Sequence, residues 1–203
     1  MNLELLHNSK KTVIENNKEF LIGKSLVEFG VCRGDSLSWF HKYYSEFNIP
    51  INFMGFDSFE GLPEETKDPN SVWHKGQFST GGVIPEIGSR PGVTLVKGWF
   101  SESLNSQAAE NLGSKIGIAH IDCDTYTSTL TCWDWMLSND LLVDGSIIIY
   151  DDWGGYRQAG CGEYEIGEAK AHKEISEKIQ FEEVGSWVVD PRFYEVKVFK
   201  CRL

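Results

Sequence analysis

Short apolar runs rich in β-branched residues alternate with polar stretches of helical periodicity. Two extended runs with no helix between them then close the chain. This pattern predicts an α/β protein: a doubly wound, mostly parallel seven-stranded sheet with a C-terminal antiparallel hairpin. In chain order, strands are read at residues 24–31, 51–56, 93–96, 116–121 and 146–150. The last is unbroken in its hydrophobicity, as suits a parallel strand covered on both faces. Leu37, Trp39, Phe40 and Tyr44 mark the apolar face of a helix over residues 35–47. Further helices are predicted over 102–112 and 127–137, the second with Thr127 or Ser128 as N-cap. A strongly polar helix over 165–179 precedes the hairpin strands, 181–189 and 193–200, which turn at Asp190-Pro191. All 203 residues are expected to form one domain.

Residues 58–91 stand outside this alternation. They are dense in Gly and Pro, from Gly61 and Pro63 to Pro85 and Gly88. A loop this long inside a compact domain is either functional or a mobile surface segment. Trp73 and Phe78 argue for partial ordering, as a lid that settles over a ligand.

Composition narrows the function. The formal net charge is -11, and Lys and Arg form no cluster, which argues against a nucleic-acid partner. No apolar run approaches membrane-spanning length, and residues 1–17 lack the apolar core of a secretory signal. Five cysteines, an odd number without a CxxC pair, suggest neither a disulfide framework nor a zinc site. The expectation is a cytoplasmic protein with reduced thiols.

Three motifs carry chemistry. Glu28-Phe29-Gly30-Val31-Cys32-Arg33-Gly34-Asp35 lies where strand one turns into the first helix, and Gly30 and Gly34 would let the backbone approach a ligand. The GxxxG spacing implies no pyrophosphate cradle, and a turn glycine pair can be purely structural. Gly55-Phe56-Asp57-Ser58-Phe59 ends strand two; a carboxylate there offers two acceptor oxygens to the vicinal diol of a ribose, or simply fixes a turn. Strand four ends at His120-Ile121-Asp122-Cys123-Asp124 and strand five at Tyr150-Asp151-Asp152. Neighbouring parallel strands would bring these four carboxylates to one rim. So much negative charge needs a cation, and hard oxygen donors suit Mg²⁺. At least one of the four is expected to do no more than cap a helix. His120 reads as a satisfied core or supporting histidine, His74 as a surface residue, and Cys123 as turned away from its two neighbours.

The stretches LVEFGVCRGDSLSWF, GFDSFEGLPEE, VKGWFSESL, AHIDCDTYTSTL, DGSIIIYDDWGG and GEAKAHKEI resemble the macrocin O-methyltransferase (TylF-like) family of class I S-adenosylmethionine-dependent methyltransferases, which methylate sugars on macrolides and related glycosides. The resemblance implies a Rossmann-like fold. It implies that Glu28, Gly30 and Gly34 belong to the first methyl-donor motif, that Asp57 with Ser58 meets the ribose, and that Gly98, Trp99 and Phe100 pack around the adenine. It also implies that Asp122, Asp151 and Asp152 hold Mg²⁺, with Asp122 as catalytic base, and that the loop over 58–91 closes as a lid. The chain departs from the family in a shorter stretch ahead of strand one and in residues 154–167.

The expected activity is therefore S-adenosylmethionine- and Mg²⁺-dependent O-methylation of a small hydroxylated acceptor, a sugar above all, by a protein with no nucleic-acid or membrane partner that could form a homodimer. Two rivals remain at this level. One is a metal-dependent glycosyltransferase using the DxD at residues 122–124; the other is a donor-binding scaffold without catalysis. Asp124 could share the proton transfer.

Overall fold

The computed structural model describes residues 10–47, 49–65, 67–192 and 194–203. Its strands are β1 (Ser25–Phe29), β2 (Asn52–Asp57), β3 (Val93–Lys97), β4 (Ile116–Ile121), β5 (Ile147–Tyr150), β6 (Gln180–Asp190) and β7 (Tyr194–Arg202). They form one seven-stranded sheet in the order β3-β2-β1-β4-β5-β7-β6. The first five pair in parallel, and β7 runs antiparallel between β5 and β6. The expected hairpin is present, with β7 joining the sheet and β6 left at the edge.

The helices are α1 (Lys18–Leu21), α2 (Asp35–Glu46), α3 (Phe100–Ser103), α4 (Ser106–Leu112), α5 (Tyr126–Ser138), α6 (Gly155–Ala159) and α7 (Gly167–Ile175), and residues 10–15 are also helical. Four details differ from the sequence reading. Residues 10–15, α1 and α6 were not expected. The helix over 102–112 is two helices, because Asn105 adopts extended backbone and its side chain accepts the Ala108 N–H. The cap of α5 is Thr125, whose hydroxyl accepts the Ser128 N–H, so none of the four rim carboxylates caps it. Finally, α7 is shorter than 165–179, because Ile166 is extended and the chain leaves the helix after Ile175.

Alternation along the strands decides what lies on each face. Val27, Phe29, Ala119, Ile121, Ile148 and Tyr150 pack into one core with Trp133 and Met136 of α5. Leu26, Ile118, Ile147 and Ile149 pack into the other, with Leu37, Phe40 and Tyr44 of α2 and with Val13 and Ile14. The same parity assigns Glu28, His120 and Asp151 to the second face, beneath helical residues 10–15. No helix among the described residues is long and apolar enough to cross a membrane.

The long loop after β2 has one short 3-10 turn, Glu86–Ser89, but it is tied down elsewhere. Leu62 N–H donates to Gln77 O and Gly76 N–H to Leu62 O, both at 2.9 Å, and Phe59 is buried. Two carboxylates clasp helix starts, where free N–H groups and the helix dipole favour an anion. Glu65 accepts the Thr127 N–H at 2.8 Å and its hydroxyl at 2.6 Å at the start of α5. Buried Asp68 accepts the Gly167 N–H at 2.9 Å at the start of α7. Burial works to raise the pKa of Glu65, but the hydrogen bonds from Thr127, Lys67 and Asp68 outweigh it and hold the carboxyl below its ordinary value.

Two predictions follow from this packing. Gly30 has φ +93°, and a Cβ there would lie 1.8 Å from the carbonyl oxygen of Asp122, so only glycine lets the turn after β1 pass the end of β4. Gly30→Ala should lower the unfolding free energy by about 3 kcal/mol or more in urea titration; wild-type stability in this variant would refute the close approach. His172 of α7 stacks on Phe199 at 4.2 Å between centroids and contacts the Tyr150 hydroxyl at 3.2 Å. Burial, aided by the charge of Lys197, drops its pKa to about 4. The folded protein therefore binds this proton more weakly than the unfolded chain does. The associated stability is complete above the ordinary histidine pKa of about 6.5 and is lost as pH falls towards the folded value, on the order of 3 kcal/mol in all. His172→Phe should flatten the decline in urea midpoint between neutral pH and that lower limit, and an unchanged slope would assign the decline elsewhere.

Candidate active site

The sheet's hydrogen bonding continues one residue past the ends of four strands. Gly30 N–H donates to Phe56 O, Asp122 N–H to Phe29 O and Gly98 N–H to Asp57 O, each at 2.9 Å, and Asp151 N–H donates to Ile121 O at 3.0 Å. The first loop residues after β1, β3, β4 and β5 are thus locked along one rim. Strand order reverses between β1 and β4, and ligands of open α/β sheets bind at that point. A cavity of about 830 Å³ opens there, within the usual range for ligand sites.

The structure brings most of the sequence-predicted residues to this cavity. Gly30, Asp57, Ser58, Gly98, Trp99 and Phe100 lie on its wall, as do Asp122, Asp124, Asp151 and Asp152. Glu28 and Gly34 do not. Parity buries Glu28 under the sheet, with its Oε1 2.9 Å from His120 Nδ1. Gly34 has φ +77° at the start of α2, and a Cβ there would press on Ile87. His74 is exposed and off the wall; Cys123 borders the cavity but is buried, with its Sγ 3.6 Å from the Thr129 hydroxyl.

Asp57 is held on both oxygens. Its Oδ2 accepts the Cys32 N–H at 2.7 Å and its Oδ1 the Phe59 N–H at 2.6 Å. Both donors have left-handed backbone, φ 48° and 59°, as do Phe78 (64°) and Asp124 (61°) on the wall. Left-handed backbone in residues other than glycine is costly, and here it gathers at the cavity. Each Asp57 oxygen keeps a lone pair after these bonds.

The carboxylates at the ends of β4 and β5 divide into two kinds. Asp122, Asp124 and Asp152 are crowded by one another. Burial, then the charges of Asp151 and Asp152, pushes Asp122 well above the ordinary range. Burial and Asp122 raise Asp124 to about 8; burial, Asp124 and Asp151 raise Asp152, which shares a hydrogen bond with Asp124. Asp151 behaves oppositely. Burial would raise it, but Lys10 and His120 together hold it far below the carboxylate range. Lys10 Nζ lies 2.8 Å from Asp151 Oδ1, His120 Nε2 lies 3.1 Å from the same oxygen, and the Tyr194 hydroxyl donates to Oδ2. His120, though buried and repelled by Lys10, is raised to about 9 by Asp151 and Glu28.

Several of these partners were missed in the sequence. Lys10 sits in a polar stretch that reads as solvated. Buried Glu168 of α7 accepts the Asp152 N–H at 3.0 Å, and its Oε1 has no partner among the described residues. Tyr194 begins β7, and strand alternation could have placed it. The loop also supplies Gly61, Leu62, Pro63, Trp73, Gln77 and Phe78 to the wall.

This arrangement fits a hard divalent cation in one respect and limits it in another. Asp122, Asp124 and Asp152 are oxygen donors whose mutual repulsion a cation would relieve. Asp151 has one oxygen taken by Lys10 and His120, and keeps only a lone pair on Oδ2. Among the described residues, Glu28, His120 and Asp122 also place ligand atoms within 4.8 Å of one another, but the Lys10 ammonium, 2.9 Å from His120 Nε2, makes that cluster unsuited to a cation.

Residues 27–153 match the family model described as a methyltransferase domain. No curated protein sequence matches the chain. Among solved structures, the fold is similar to that of the calicheamicin methyltransferase CalS11, with 19% identity over 96% of this chain and 78% of that one and a TM-score of 0.67. It is likewise similar to the O-methyltransferase NovP, with 20% identity over 99% and 79% of the two chains and a TM-score of 0.66. A cmcI structure described with Mg and SAM aligns at 16% identity over 93% and 70%, with a TM-score of 0.54. The family match spans well over half of the sequence, and the sheet and its rim agree with it: the chain belongs to the methyltransferase-domain family and carries the class I S-adenosylmethionine-dependent methyltransferase fold.

Proposed function

We propose that this protein transfers a methyl group from S-adenosylmethionine to a hydroxyl of a sugar or glycoside with the help of Mg²⁺. One observation carries the reading: a single cavity has Asp57, fixed on both oxygens, at the β2 end and a crowded carboxylate rim at the β4–β5 end. CalS11, also described as a TDP-rhamnose 3′-O-methyltransferase, supports the O-methyl and sugar assignments, NovP supports the O-methyl assignment, and cmcI with Mg and SAM supports the cofactors. The methyltransferase-domain match disfavours a glycosyltransferase built on residues 122–124.

The donor supplies an electrophilic methyl on a sulfonium. Asp57 would accept from the ribose hydroxyls with its remaining lone pairs, and Gly98, Trp99 and Phe100 would flank the adenine. Gly30 and Ser58 lie on the same wall, whereas Glu28 and Gly34 would act only by shaping the turn. Mg²⁺, held by Asp122, Asp152 and the free lone pair of Asp151, would lower the pKa of an acceptor hydroxyl. Asp122 would take that hydroxyl's proton on a carboxylate oxygen, with Asp124 on the same wall as a second acceptor, and the acceptor oxygen would form the new carbon–oxygen bond as the donor's sulfur–carbon bond breaks. The loop over 58–91 excludes water from this pair as a lid.

Two measurements test the reading. S-adenosylhomocysteine should raise the melting temperature of the wild type, and Asp57→Ala should lose most of that shift; equal shifts would remove Asp57 from the donor site. With labelled donor and a panel of nucleotide sugars, glycosides and catechols, transfer should stop in EDTA and return with Mg²⁺, while S-adenosylhomocysteine binding survives EDTA. Full transfer by metal-free protein would leave general-base methyl transfer without a metal. Transfer to catechols alone would replace the sugar assignment.

A further inference from the structure

Lys10 is the most deeply buried lysine or arginine among the described residues, at 1% exposure, and no step above uses it. It enters from helical residues 10–15, over the sheet face that strand parity gives to Glu28, His120 and Asp151. Its Nζ lies 2.8 Å from Asp151 Oδ1 and 2.9 Å from His120 Nε2, and 5.7 Å from the Phe40 ring centre. Asp151 faces the cavity, Lys10 and His120 lie behind it, and Glu28 lies behind His120, with Glu28 Oε2 buried and without a hydrogen-bond partner among the described residues. The order from cavity to core is the Asp151 carboxylate, the Lys10 ammonium with the His120 imidazole, and the Glu28 carboxyl.

A buried ammonium is tolerated only where its charge is compensated, and removing one partner leaves the other uncompensated. Asp151 supplies the nearest anionic oxygen to Lys10, and Lys10 with His120 occupies that oxygen fully. We propose that Lys10 is a positioning residue of the active site: a built-in cation that fixes the inner oxygen of Asp151, offsets part of the carboxylate rim, and competes with a divalent ion for Asp151. The competition rests on the Mg²⁺ reading above; the positioning role does not.

The consequences are specific. The rim stays ordered without a divalent ion, because one of its four carboxylates carries a resident counter-charge. A divalent ion in the cavity meets a like charge behind Asp151, and reaches that residue only through the oxygen held by Tyr194.

The test uses the full chain as wild type, Lys10→Met, Lys10→Arg, Asp151→Asn and the double variant Lys10→Met/Asp151→Asn. Melted in EDTA, Lys10→Met should lose roughly 10 °C, and Lys10→Arg should recover part of that loss. The double variant should melt no lower than Lys10→Met alone, because Asp151→Asn removes the charge that Lys10 serves. Additive losses in the two single variants would overturn the positioning role. Calorimetric titration with Mg²⁺ alone should show Lys10→Met binding about tenfold tighter than wild type, since a nearby like charge is gone. Equal or weaker affinity would overturn the competition. If Mg²⁺ binds neither wild type nor any variant, the divalent reading of the site fails, and the melting cycle in EDTA still decides for or against Lys10. S-adenosylhomocysteine binding to Lys10→Met serves as the control for an intact donor end.

Discussion

Asp122, Asp124, Asp151 and Asp152 stand at the ends of two adjacent strands, and the backbone holds them there through the bonds from Asp122 N–H to Phe29 O and from Asp151 N–H to Ile121 O. Removing a carboxylate from water is expensive unless a cation or hydrogen-bond donors replace the lost hydration. The protein meets this constraint in two ways. At β5, Asp151 is neutralised from beneath by Lys10 and His120. Asp122 and Asp124 at β4, with Asp152 beside Asp151, crowd one another and hold their protons more tightly. One rim therefore offers a fixed anion beside groups able to take up a proton or a cation.

The same backbone geometry joins this chemistry to the opposite end of the cavity. Gly30 touches the Asp122 carbonyl, its N–H bonds to β2, and the Asp57 carboxylate ties the turn after β1 to the loop after β2. A shift in any one of these would move the others, so the two ends of the cavity are positioned by a common scaffold rather than by separate loops.

Much of the sheet was legible because its signals are local. Unbroken apolar runs marked β4 and β5, and the pair of runs around Asp190-Pro191 marked the hairpin. The reading of His120 as a supporting histidine agrees with its place between Glu28 and Asp151, which follows from period-two alternation on neighbouring strands. What was not legible depends on distant partners. Lys10 looks solvated until its contact 110 residues away is known. Glu65 and Asp68 look like surface acids, yet they bond 62 and 99 residues downstream. Thr125, Thr127 and Ser128 are all competent caps by type, and the backbone's exit from β4 selects the first.

The two clasps at Glu65 and Asp68 also set the thermodynamics of the long loop. A loop's freedom depends on the span between its fixed points. Fastened to α5 and α7 near its start and packed by Phe59 at its base, the loop loses most of its conformational entropy when the chain folds. The bonds between Leu62 and Gly76–Gln77 extend this fastening across the stretch that carries exposed His74 and Lys75. Any ligand of the cavity then meets Trp73 and Phe78 on a wall already ordered by folding, and its binding need not offset the entropy of ordering the whole loop.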